Sequence, residues 1–129
     1  MQVAKKAQYG LRAMTYLSKN SSKEKVCSSK EISEKEDIPF DFLEKIMSEL
    51  EKADLVKAKK GAYGGYFLDK KPNKITAGEV VRTLENTVPV GCMGCPKAMG
   101  CSSKSVWDEV KDSVNSTLDS ITLKDLMDK

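Results

Sequence analysis

Apolar residues near the start of the chain recur at helical spacing. Tyr9, Ala13, Tyr16 and Leu17 share one face of an otherwise polar segment, which predicts an amphipathic helix from about Ala4 to Ser18. The run "NSSKEK" breaks that period as a polar turn, and Lys25–Cys27 reads as a short extended piece. Ser28 and Glu31 stand three residues apart, the spacing of a capping box. Together they predict a short helix, "SKEISEKE", whose buried residue is Ile32. Pro39 suits a first helical position, where its missing N–H costs nothing. The helix it opens, "PFDFLEKIMSELEKADL", carries Leu43, Ile46, Met47 and Leu50 on one face.

Two helices joined by a few residues, following a first helix, make the pattern of a helix-turn-helix. The period then changes. Val56–Lys59 and Tyr66–Leu68 are extended runs around Gly61, Gly64 and Gly65, and they predict a β-hairpin whose turn needs positive φ angles. A basic-tipped hairpin directly after a helix-turn-helix is a wing. Thr76 and Glu79 form a further capping box that opens the helix "AGEVVRTLEN". A long last helix, about Lys104 to Ser120, spaces Val106, Val110, Val114, Leu118 and Ile121 by three or four residues. That narrow stripe is assigned to a two-fold contact between copies, although a helix docked on its own core fits the pattern nearly as well. The expected fold is mainly α with a small β-hairpin wing. Residues 1–86 form a winged helix-turn-helix domain, 87–103 a cysteine loop, and 104–129 a dimerisation helix with a C-terminal helix.

A chain of 129 residues suits one domain. Residues 1–90 hold 17 Lys and Arg against 13 Asp and Glu, and residues 91–129 hold 5 against 6, so the positive surplus lies upstream. That weakly favours a nucleic-acid partner there. No segment reads as a signal peptide or a membrane span, so a cytoplasmic protein with reduced thiols is expected. The absence of histidine excludes His-based acid–base catalysis. "GAYGG" lacks the Lys-Ser/Thr and the helix start of a phosphate-binding loop, so no enzyme is expected.

Candidate chemistry gathers in "VGCMGCPKAMGCSS". Cys92, Cys95 and Cys101 make a C-x2-C-x5-C array with Gly91, Gly94 and Gly100 each preceding a cysteine. Glycine lets a backbone curl closely around a cluster. Thiolates are soft ligands suited to zinc, copper(I) or iron–sulfur clusters. A structural zinc site wants four Cys or His ligands, and only three thiols are local here, which favours a cluster. A redox-thiol or zinc-bearing loop is the rival reading. Cys27, in an apolar setting, is expected to pack as a small buried hydrophobe.

Over essentially the whole chain the sequence resembles the IscR/NsrR/CymR family of bacterial winged helix-turn-helix regulators. The resemblance is carried by "YGLRAMTYL", "EISEKEDIPFDFLEKIMSELEKADLVKAKKGAYGGYFL", "ITAGEVVRTLEN", the cysteine loop and "ITLKDLM". It implies a homodimer bound to a pseudo-palindromic double-stranded DNA operator, usually as a repressor, with an iron–sulfur cluster on the three loop cysteines in many members. Pro39–Ala53 resembles the recognition helix, exposing Phe40, Asp41, Glu44, Lys45 and Ser48 to the major groove. A Glu44 carboxylate can accept from cytosine N4, whereas Asp41 is explained as well by the helix dipole. Lys57, Lys59 and Lys60 lead into the wing, and Lys60 stands where the family usually has Arg, keeping the charge but not the planar fork. Lys5, Lys6 and Arg12 are candidate phosphate contacts, and Ser29 and Tyr63 complete the expected interface.

The chain also departs from the family pattern. Cys92 falls three residues closer to Cys95 than is usual. Lys104 stands where some members place a ligating His, and Gln8 where others recruit an acid from the partner's first helix. The fourth ligand is therefore open among water, a small thiol, Gln8 of the partner subunit, and Cys27. An iron without a strong protein ligand favours 4Fe–4S, with 2Fe–2S next. The expected function is operator binding switched by a cluster that senses nitric oxide, redox state or iron status. The alternative is a cluster-free regulator controlled by thiol oxidation, zinc or a protein partner.

Overall fold

A computed structural model of the chain describes residues 4–85 and 104–128. Helix α1 (Lys5–Asn20) runs two residues beyond its expected end. Its polar C-terminal residues bond back onto the last turns: Ser18 Oγ donates to Met14 O, Asn20 Nδ2 to Tyr16 O and Ser21 Oγ to Leu17 O. Helix α2 (Ser29–Glu36) starts where expected, with Ser28 Oγ accepting from the Glu31 N–H at 3.1 Å. Only half of the predicted capping box forms. The Glu31 carboxylate turns away to accept from the Tyr16 hydroxyl at 2.5 Å, so the acid joins α2 to α1 rather than closing its own cap. Helix α3 (Phe40–Lys52) has Pro39 as its N-cap and not as its first helical residue. Its buried face is Leu43, Ile46, Met47 and Leu50, as the spacing predicts.

Strands β1 (Lys57–Lys59) and β2 (Gly65–Phe67) pair antiparallel, with Ala58 opposite Tyr66. The expectation of positive φ holds for Gly61 alone, at 119°. Gly64 and Gly65 serve close approach instead. A Cβ on Gly64 would overlap the Lys59 carbonyl oxygen, and one on Gly65 would sit 2.5 Å from the Cys27 carbonyl oxygen. That crowding arises because Cys27 and Tyr66 exchange both main-chain hydrogen bonds, at 2.9 and 2.8 Å, and so stitch the wing to the body.

A 3-10 turn (Pro72–Lys74) leads into α4 (Ala77–Glu85), whose capping box is complete: Glu79 N–H reaches Thr76 Oγ1 and Thr76 N–H reaches Glu79 Oε1. Helix α5 (Lys104–Ser120) matches the expected span, and α6 (Leu123–Met127) returns to the body with Thr122 and Asp125 forming its own capping box. Helix α1 lies at the centre, packed against α2, α3, α4 and α6. Met14, Leu17, Ile32, Leu43, Ile46, Met47, Leu50, Val80 and Leu123 form a continuous buried core with Cys27 among them. Only the C-terminal half of α5 joins that body. Val106, Trp107 and Val110 remain 54%, 42% and 36% exposed.

Replacing Gly65 by Ala is expected to cost about 1–3 kcal/mol, because backbone rather than a movable side chain would have to yield. A urea denaturation midpoint equal to that of the unmodified protein would contradict the close approach of the wing to Cys27.

Candidate nucleic-acid interface

Three elements meet on one face. The start of α2, the N-terminal half of α3 and the wing enclose an open groove of about 470 Å³ lined by Ser29, Phe40, Glu44, Lys59 and Lys60. The helix-turn-helix places Ser29 and Glu44 side by side, with Ser29 Oγ 3.4 Å from Glu44 Oε2. Phe40 is half-exposed at the mouth, and Tyr63 stands 94% exposed at the wing tip. Lys45 and Ser48 lie on the neighbouring outer face of α3, which shares Glu44 with the groove. Asp41 is exposed in the first turn of α3, where a carboxylate stabilises the helix dipole.

The positive charges are not equally available. Lys59 and Lys60 are exposed on the wing. Lys57 is paired with Asp54 at 3.1 Å. Lys5 and Arg12 flank the Tyr9 ring at 5.9 and 5.0 Å, and Arg12 also donates to the Glu36 carbonyl at 2.8 Å. Lys6 is paired on the surface. Its Nζ lies 2.5 Å from Glu49 Oε2 and 2.7 Å from Glu49 Oε1, so its charge is already matched by α3 before any phosphate arrives.

Four residues of this surface escaped the sequence reading. Lys30 and Glu51 line the groove, and Lys52 continues the outer face of α3. Lys52 follows Lys45 and Ser48 by seven and four positions, a helical spacing that could have found it. Tyr66 also faces the groove. Its hydroxyl pKa is raised first by burial and then by the charges of Glu44 and Glu51. Lysines and carboxylates therefore line the same groove.

The expected metal ligands Cys92, Cys95 and Cys101 lie outside the described residues. Among the described residues, no group of three or more His, Cys, Asp and Glu side chains is placed to hold a metal. Cys27 is fully buried in the core, and burial, followed by the neighbouring Glu31 carboxylate, pushes its thiol up from an ordinary 9.0 to about 11. A metal ligand must be a thiolate, so this environment opposes the role of fourth ligand and suits the small-hydrophobe reading. Gln8 is exposed on α1.

The model of the family described as "Rrf2: Iron-dependent Transcriptional regulator" matches residues 3–129. The HTH-type transcriptional regulator CymR of Bacillus subtilis is 36% identical over 126 residues, which cover 98% of this chain and 89% of the relative. The solved structure of that CymR, titled as the global cysteine regulator, superposes with a TM-score of 0.82 over 99% of this chain and 97% of its own, at 36% identity. The structure of T. potens IscR gives 0.81 over 99% and 87%, also at 36% identity.

Two outcomes are expected from this surface. Lys60→Ala should flatten the slope of log affinity against log salt by about 0.9, whereas Lys6→Ala should leave it nearly unchanged because Glu49 already neutralises that lysine. Equal flattening by both, in fluorescence-anisotropy titrations of a DNA duplex, would contradict the Lys6–Glu49 pairing. For Cys27, the folded state holds its proton more tightly than the unfolded chain does. Stability is therefore intact below the ordinary thiol pKa and declines as pH rises from 9.0 towards about 11. Urea midpoints should fall between about pH 8 and about pH 10, and Cys27→Ala should remove the part of the decline that starts near the ordinary thiol value.

Proposed function

Because the chain belongs to the Rrf2 family of transcriptional regulators, we propose that it reads a pseudo-palindromic operator as a homodimer and that an iron–sulfur cluster adjusts its affinity for that site. DNA binding and transcription regulation are the family's activity. The single observation that supports the reading mode is the groove joining Ser29, Phe40 and Glu44 to Lys59 and Lys60. Helix α3 would enter the major groove with Phe40, Asp41, Glu44, Lys45 and Ser48 towards base edges, and Glu44 would accept from cytosine N4. The wing would carry Lys59, Lys60 and Tyr63 to the adjacent minor groove, with Lys5 on α1 as a backbone contact. Residues 1–86 would act as the reading head and 87–103 as the cluster loop. Residues 104–129 would form the two-fold contact, supported by the open apolar groove along Val110, Val114 and Leu118.

Cys92, Cys95 and Cys101 would hold the cluster, since three soft thiolates in a glycine-rich stretch suit iron and sulfide and fall short of a tetrahedral zinc site. When bound, an iron without a strong protein ligand supplies redox and ligand-exchange chemistry, and this favours 4Fe–4S over 2Fe–2S. Gln8 of the partner subunit stays a candidate for the fourth position. The second reading is a cluster-free regulator controlled by thiol oxidation, zinc or a protein partner. The departure of Cys92 from the usual spacing and the similarity to CymR support it.

Anaerobic reconstitution of the full chain, with absorption and Mössbauer spectra and iron and sulfide analysis, separates the two. Stoichiometric iron and sulfide that disappear in Cys92→Ser, Cys95→Ser and Cys101→Ser proteins are the expected result. A colourless, iron-free protein that still binds an operator would overturn the cluster and leave the second reading.

A further inference from the structure

Helix α5 has two unlike ends. Its N-terminal half bears the exposed Val106, Trp107 and Val110. Its C-terminal half is seamed to α4. Arg82 Nη1 donates to Asn115 Oδ1 at 3.0 Å, and Arg82 Nη2 donates to Asp119 Oδ1 at 2.6 Å. Gly78, one turn earlier on α4, leaves the space that this carboxylate occupies. A Cβ there would overlap Asp119 Oδ1 and sit 2.9 Å from Arg82 Nη1. Main-chain bonds extend the seam, from Ala77 N–H to Ile121 O at 2.8 Å and from Leu123 N–H to Ile75 O at 2.9 Å. As the contacts move forward along α4 from Ala77 to Arg82, they move backward from Ile121, just past the end of α5, to Asn115 within it. The two helices are therefore antiparallel at a defined register.

The guanidinium is a planar fork, and two donors on two acceptors fix rotation as well as distance. The pair is partly exposed, at 37% and 47% for the two side chains, so it adds little to folding. Geometry is what it supplies. Helix α4 packs on both α1 and α3, so the seam carries the angle of α5 directly into the elements that face DNA.

We propose that the Arg82–Asn115–Asp119 seam sets the separation of the two reading heads, making Arg82 a positioning residue for operator spacing. This rests on the reading of α5 as the two-fold contact. A helix of α5's length spans about 25 Å, and a tilt of about 10° at one end displaces the other by about 4 Å. That displacement is close to the rise of one base pair, about 3.4 Å. A small change at the seam is thus enough to move the preferred spacing by a base pair without touching a residue that faces DNA.

The test is selection from a pool of random DNA duplexes by the full-length protein, sequenced for half-sites and for the distance between them. The unmodified protein should select paired half-sites at one spacing. Arg82→Ala and Gly78→Ala, the second of which leaves both charged partners in place, should select the same half-sites with the spacing shifted or spread by about one base pair or more. Affinity for the original spacing should fall by about tenfold. Arg82→Lys, which keeps a positive charge but loses the two-donor fork onto Asn115 and Asp119, should select a spacing spread more widely than that of the unmodified protein and less widely than that of Arg82→Ala. Unchanged spacing in both Arg82→Ala and Gly78→Ala would overturn the proposal while leaving the dimer reading intact. So would a loss of affinity equal at every spacing together with a lowered melting temperature, because that is the signature of a merely structural role. Selection of single half-sites by the unmodified protein would overturn the two-fold reading itself, and this proposal with it.

Discussion

Everything else in the molecule is hung on the burial of one face of α1. Ala7, Gly10, Ala13, Met14 and Leu17 form that face, and α2, α3, α4 and α6 all pack around the helix. Small residues at Ala7, Gly10 and Ala13 let its neighbours come close. A Cβ on Gly10 would overlap Leu84 Cδ1, the far end of a side chain from α4. The apolar area removed from water along this helix and the faces packed on it stabilises the fold. It holds α3 and α4 in place, and their placement positions both the groove face and the long helix.

The wing depends on the same body through a second constraint. Its two strands are only three residues each, too short to persist alone. The exchange of main-chain bonds between Cys27 and Tyr66 adds the missing partner and ties the wing to the buried core around Cys27. Lys59, Lys60 and Tyr63 are thereby held on a rigid arm beside α3. The groove between arm and helix exists because both are tied to the residues around Cys27.

Charge on this face is arranged by pairing rather than by net surplus. The modest positive balance of the chain says little about where DNA binds. Glu49 pairs with Lys6 and Asp54 with Lys57, whereas Lys30, Lys45, Lys52, Lys59 and Lys60 stand exposed. The carboxylates of Glu44 and Glu51 share the groove lining with Lys30, Lys59 and Lys60.

Local patterning determined the element order, the buried face of α3, the span of α5 and the caps at Ser28 and Thr76, because apolar period and capping chemistry act over a few neighbouring residues. The three thiols and their spacing were likewise legible in the linear sequence. What only the tertiary structure decided is which local offers were taken up by distant partners. Glu31 left its own cap for Tyr16, Lys6 found Glu49, and Gly65 met the Cys27 carbonyl, and the antiparallel seam brought Arg82 to Asn115 and Asp119. Each of these pairs lies at least 15 positions apart in the chain, as with Tyr16 and Glu31, and up to 43, as with Lys6 and Glu49. No local period encodes them, since they form only after burial of α1 has fixed where the helices stand.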